Sequence, residues 1–180
     1  MRRLRSLINV SAVVTLITIG IGDAAAQQPP KSRNELLSAA RRIMEAARFA
    51  TFVTVDESGQ PQSRLVDPFA PDSAMVVWIG TNPRTRKVAQ LQKNARVALT
   101  YFDRQAMAYV TILGRAQLVN DAKEKQSRFK PEWSAFYPER DRDYTLIKVV
   151  PERLELISER DGVGFTDAAS WRPPVVDFRP

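Results

Sequence analysis

A strand that runs directly into a short amphipathic helix constrains this chain more than any other feature. Ala74-Met-Val-Val-Trp-Ile79 is apolar and β-branched, as a buried strand should be. Helical spacing follows, with Val88 and Leu91 on one face and Gln90, Gln92 and Lys93 on the other. Between the two lie Thr81, Asn82, Thr85, Arg86 and Lys87, and either Asn82 before Pro83 or Thr85 one turn later can cap the helix. A helix N-terminus carries free N–H groups and partial positive charge, so Arg86 and Lys87 there oppose the dipole. A bound phosphate dianion explains their placement. A solvated basic helix start is the alternative.

The rest of the chain supplies strands at close spacing. The pattern predicts a helix over 34–49 capped by Asn34, with Leu36, Leu37, Ala40, Ile43, Met44 and Ala47 on one face. A strand over 50–55, a turn at 56–59 and a second strand ending at Val66 follow. Residues 95–102 alternate poorly and read as a largely buried strand. A long strand over 107–119 is interrupted by Gly114, the mark of a bulge or barrel corner. Short helical segments are expected over 121–129 and 133–137, then a strand or hairpin over 144–158 with Pro151 at an edge or turn. From about 159 to 180 a polar, proline-containing tail is expected to wrap the surface. Six or so β segments with helices inserted suggest a small barrel, not alternating βαβ units.

Composition narrows the chemistry. The 180 residues contain no cysteine and no histidine. Disulfides, thiolate chemistry, iron–sulfur clusters, Ser-His triads, the common zinc sites and the usual haem ligand are therefore excluded, and no metal site is expected. Residues 1–26 read as an export signal. Arg2, Arg3 and Arg5 precede a moderately apolar stretch, and Ala24-Ala-Ala26 offers a cleavage site before Gln27. The mature chain, 27–180, is expected to be one periplasmic or secreted domain, by a twin-arginine or general route, with no stable membrane insertion. Net charge is +7, and removal of a leader with three Arg and one Asp leaves +5. That balance favours anionic ligands, while an exported protein with scattered basic residues is not expected to bind nucleic acid.

Several segments recur in one order: Ser63-Arg64, Thr81, Thr85-Arg86-Lys87, Asn94-Ala-Arg-Val97 and Tyr109-Val-Thr-Ile-Leu-Gly-Arg-Ala116. Together with Lys130-Pro-Glu-Trp-Ser-Ala-Phe-Tyr-Pro-Glu139 and Trp171-Arg-Pro-Pro174, they resemble the pyridoxamine-phosphate-oxidase-like family, in its general-stress-protein-26 branch. The resemblance implies a six-stranded split β-barrel of the FMN-binding type and a homodimer with flavin between subunits. It implies that Arg64, Thr85, Arg86 and Lys87 hold the FMN phosphate. Thr81 and the backbone of Leu65 and Val66 would border the ring, and Tyr109 would lie near it. For Thr81 a helix-cap hydroxyl, and for Tyr109 a half-buried barrel tyrosine, are the structural alternatives.

The implied function is an exported FMN-dependent oxidoreductase acting on a small-molecule redox substrate, with the catalytic residues unassigned. A non-enzymatic binder of FMN, or of a deazaflavin cofactor, is the alternative. Two departures argue against vitamin B6 oxidation itself: Phe69 stands where those oxidases carry a lysine, and their C-terminal histidine has no counterpart. Asp67 reads as a strand-end charge facing water, Glu152 and Glu155 as solvated partners of Arg153, and the three tryptophans as packing residues, Trp171 being able to cover a cofactor from the tail.

Overall fold

A computed structural model describes residues 31–166 and 169–179. The expected leader lies outside the described residues. Helix α1 spans Arg33–Ala47 and is capped by Ser32, not by Asn34. Ser32 and Glu35 form a capping box: Glu35 N–H donates to the Ser32 hydroxyl, and Ser32 N–H donates to the Glu35 carboxylate at 2.8 Å. Leu36, Ala39, Ala40, Ile43 and Met44 are buried at helical spacing, so one stripe of α1 enters the core.

Seven strands follow: β1 (Ala50–Val55), β2 (Pro61–Val66), β3 (Val77–Thr81), β4 (Arg96–Asp103), β5 (Ala108–Val119), β6 (Thr145–Ile157) and β7 (Val175–Asp177). They form one curled antiparallel sheet in the order β2-β1-β4-β5-β6-β3, with β7 added beside β6. The mainly β split-barrel class is as expected. β7 is an addition from the tail, which was expected only to wrap the surface.

Long strand β6 explains the curl. Its first half pairs with β3, from Thr145↔Thr81 to Val149↔Val77, and its second half with β7, while β5 runs along both. The register shifts between Leu113 and Gly114, opposite Pro151. A Cβ on Gly114 would lie 2.2 Å from the Val150 carbonyl oxygen, so only glycine permits that approach. Pro151 therefore sits buried inside β6 at the bulge, where its missing N–H is tolerated, and not at a turn.

Other differences have local causes. β3 begins at Val77 instead of Ala74 because Asp72 ties a turn: its Oδ1 accepts from Ala74 N–H and Val76 N–H, and Met75 takes a positive φ of 63°. β4 alternates after all, with Val97, Leu99, Tyr101 and Asp103 buried between more exposed neighbours. Helices α2 (Arg86–Lys93), α3 (Ala122–Ser127) and α4 (Arg140–Asp143) interrupt the strands. α4 was not expected, since Arg-Asp-Arg-Asp has no apolar period. It is held by the buried Asp143 carboxylate, which accepts from Arg84 and Arg142, each at 3.0 Å. A second, aromatic cluster joins Trp78, Trp133, Tyr144 and Leu146. A Cβ on Gly80 would meet Trp133 at 2.5 Å and Tyr144 at 2.6 Å.

Candidate functional site

The two basic segments meet, but not by the route expected. Convergence of Arg64 with Arg86 and Lys87 requires β2 and β3 to be neighbours if the strands alone bring it about. They are instead the two ends of the sheet path. Helix α2 closes the gap by packing against β1. Arg64, opposite Phe52 in the register, donates from Nη1 to the Thr54 hydroxyl at 2.7 Å and to the Phe52 carbonyl at 3.2 Å. Its Nη2 donates to Gln90 Oε1 at 3.1 Å, and the Thr54 hydroxyl donates to the same oxygen at 2.6 Å. Gln90 therefore faces the sheet, not the solvent side of α2.

At the helix start, Lys87 Nζ donates to Thr81 Oγ1 at 2.9 Å, and Thr81 is 3% exposed. Thr81 thus anchors the lysine and does not cap the helix. Thr85 occupies the N-cap position, but its hydroxyl donates to the Asn82 carbonyl at 2.9 Å and makes no side-chain cap. Asn82 Oδ1 instead accepts from Arg84 N–H at 2.9 Å. The first-turn amides of α2 are left without a side-chain oxygen, as an anion-binding helix start requires.

The electrostatics are one-sided. Burial, and then the Arg64 charge, push the Lys87 ammonium below its ordinary pKa. Burial, and then the Arg86 charge, do the same to Arg64. None of Arg64, Arg86 and Lys87 forms an ion pair with a described carboxylate. Arg64, repelled by Arg86, and Lys87, repelled by Arg64, have no protein anion among the described residues and make with Arg86 a cradle for an external one.

β2 is a sheet edge, so half of its backbone N–H and C=O groups point away from β1. Leu65 projects outward at 69% exposure, while Val66 is buried. Tyr109 is not brought to this place within one chain. It opposes Phe102 and Ile157, at the other end of β6 from the residue that pairs with Thr81. Burial, and then Glu155, raise its phenol pKa.

Asp67 is not a water-facing charge: its Oδ1 lies 2.7 Å from Lys130 Nζ, with both side chains under one-fifth exposed. Lys130 also donates to the Pro68 carbonyl at 3.2 Å and lies over the rings of Phe69 and Trp133 at 5.3 and 4.9 Å. Arg153 and Glu155 do pair, at 2.7 Å. Trp171 is 68% exposed and packs its ring on Phe165 at 5.1 Å. Among the described residues, no cluster of acidic side chains could hold a metal.

Comparison with known proteins bears on the family and the fold. The sequence pattern of the pyridoxamine 5'-phosphate oxidase family matches residues 36–158. No curated protein matches the chain by sequence. Among solved structures, a Clostridium acetobutylicum protein related to general stress protein 26 is 19% identical, with a TM-score of 0.67 over 82% of this chain and 97% of that one. General stress protein 26 of Bacillus anthracis is 19% identical, with a TM-score of 0.63 over 80% and 99%. A pyridoxamine 5'-phosphate oxidase-related, FMN-binding protein of Nostoc punctiforme is 15% identical, with a TM-score of 0.55 over 82% and 97%.

Proposed function

The chain belongs to the pyridoxamine 5'-phosphate oxidase family, and on that premise we propose that it is an exported FMN-dependent oxidoreductase. The observation that carries the proposal is the set of three cations, Arg64, Arg86 and Lys87, with Arg64 repelled by Arg86 and Lys87 by Arg64, and none ion-paired with a carboxylate among the described residues. A phosphate dianion supplies the missing charge and raises the Lys87 pKa back toward its ordinary range. The fit extends to donor geometry. A guanidinium gives planar paired contacts, an ammonium a point charge, and the open first turn of α2 contributes backbone N–H groups.

When bound, FMN supplies hydride and electron transfer at its ring. The chain's own residues bind and orient it. Thr81 fixes Lys87 toward the α2 start. Thr54 and Gln90 fix Arg64. The free edge of β2 at Leu65 and Val66 offers backbone donors and acceptors to the ring's polar edge. Tyr109, on β5 opposite the end of β6 that lies away from Thr81, would reach the ring from a second copy in a homodimer with the cofactor between subunits. The substrate is a small redox molecule, not a B6 vitamer, and the protein works in the periplasm or outside the cell.

The visible spectrum and N-terminus of protein isolated from its own cell envelope test the proposal together. Flavin bands that bleach with a reductant and recover with an acceptor over many turnovers, on a chain starting near Gln27, are expected. A colourless protein that takes up no FMN on titration would overturn the cofactor assignment. An intact Met1 start in a cytoplasmic fraction would overturn the location.

A further inference from the structure

The loop over 82–85, which joins β3 to α2, carries a cation that the phosphate cradle does not use. Arg84 lies two residues before Arg86, yet its guanidinium goes to α4: Nη1 donates to Asp143 Oδ1 at 3.0 Å. The Arg84 side chain is 64% exposed and that of Asp143 only 4%. Other side-chain bonds of this loop stay close in sequence. Asn82 Oδ1 accepts from Arg84 N–H at 2.9 Å, and the Thr85 hydroxyl donates to the Asn82 carbonyl at 2.9 Å. Among the described residues, Arg84 alone ties a side chain of 82–85 to a distant segment.

The far end of that tie is itself anchored. Lys125 Nζ on α3 donates to the Asp141 carbonyl at 2.8 Å, and Asp143 N–H donates to the Glu139 carbonyl at 2.7 Å. Arg142 donates to both oxygens of the Asp143 carboxylate, at 3.0 and 3.3 Å. The next residue, Tyr144, is fully buried, and its hydroxyl donates to the Arg128 carbonyl. β6 begins one residue later, where Thr145 pairs with Thr81, the residue that holds Lys87. Asp143 is therefore a fixed post beside a short span that runs from Thr81 to the start of α2.

We propose that Arg84 is a positioning residue for the cradle: its bond to the buried Asp143 carboxylate fixes the 82–85 loop, and with it the way Arg86 and the first-turn amides of α2 are presented to an anion. This role rests on the reading of the cradle as a phosphate site. Charge alone makes the opposite prediction for Asp143. Removing a carboxylate near three cations, and freeing a fourth, strengthens the attraction for an anion. Removing a post weakens anion binding, because donors that were held in place must then be ordered on binding.

FMN and riboflavin titrations, at a temperature where parent and variants are all folded, separate the two. Asp143→Asn should weaken FMN about fivefold to tenfold and leave riboflavin unchanged. Arg84→Gln should do the same. The double variant should lose no more than the larger single loss, since both residues act through one contact. If Asp143→Asn does not fold, Arg84→Gln decides the matter in a salt series: a positioning loss persists at high salt, whereas the loss of a distant charge is screened away. Four results would each overturn the role while the parent's preference for FMN upholds the phosphate reading: unchanged or tighter FMN binding by Asp143→Asn, additive losses, an equal loss of riboflavin, or an Arg84→Gln effect that vanishes at high salt. A parent with no preference for FMN over riboflavin would remove the phosphate reading, and this role with it.

Discussion

Arg64 on β2 and Gln90 on α2 are joined by a 3.1 Å hydrogen bond across the first strand, and this contact brings the two basic segments together. Gln90 Oε1 accepts from both Arg64 and the Thr54 hydroxyl, so it serves two donors at once. Gln90→Leu keeps the size of the side chain and removes the acceptor. It should destabilise the fold by about 1–2 kcal/mol, since Arg64 and the buried Thr54 each lose a partner. FMN affinity should fall with it, because Arg64 is no longer held in place. Denaturant melts and an FMN titration check both effects.

Acid stability should turn on Asp143. Its side chain is 4% exposed, and hydrogen bonds from Arg142 and then Arg84 lower its pKa from 3.8 to about 2. A carboxylate with a depressed folded-state pKa contributes stability above its unfolded value, and that contribution disappears as pH falls through the folded value. The loss should therefore run from about pH 4 down to about pH 2. Asp143→Asn should melt lower than the parent at neutral pH, and the two melting curves should converge toward pH 2. Parallel curves across that range would show that the charge is not what holds α4.

Gly114→Ala should be among the more damaging single substitutions. The added methyl meets backbone, the Val150 carbonyl at 2.2 Å, and not the movable end of a side chain. Overpacking of this kind costs about 1–3 kcal/mol or more. Gly59→Ala has open space around it and only a positive φ of 85° to overcome, so it should cost less. Thermal melts of the two variants give the comparison.

Much of the sheet was legible because its signals are local. Gly114 announced the bulge, and the 50–55 and 107–119 runs matched β1 and β5 within a residue or so. The basic pair at the α2 start was legible from residue type and position alone. The long-range contacts were not. Nothing in the local pattern says that β2 and β3 lie at opposite ends of the sheet, that Gln90 turns inward, or that Asp67 finds Lys130 from a distant segment. α4 escaped because four charged residues carry no hydrophobic period, and it is held by polar contacts such as those of the buried Asp143 carboxylate with Arg84 and Arg142. Those features depend on partners far away in sequence, and sequence periodicity reports only near neighbours.

Pyridoxamine phosphate should be a poor substrate. Phe69 packs edge-on to Trp133 at 5.5 Å, and the nearby ammonium of Lys130 is already paired with Asp67. With no histidine anywhere in the chain, no imidazole is available to the substrate phosphate there. Flavin-loaded protein under air should form no pyridoxal phosphate. Saturable formation at roughly one turnover per second or faster would return the protein to the B6 oxidases.

In the proposed site, Arg64, Arg86 and Lys87 hold the phosphate of a flavin nucleotide. Paired titrations with FMN and riboflavin, which differ only in that phosphate, test it most directly. FMN should bind the parent protein much more tightly than riboflavin does. Arg86→Ala and Lys87→Ala should each weaken FMN by about 1–3 kcal/mol, through loss of a charged hydrogen bond, while scarcely changing riboflavin. Equal affinity of the parent for the two flavins, or equal losses of both in the variants, would contradict the account.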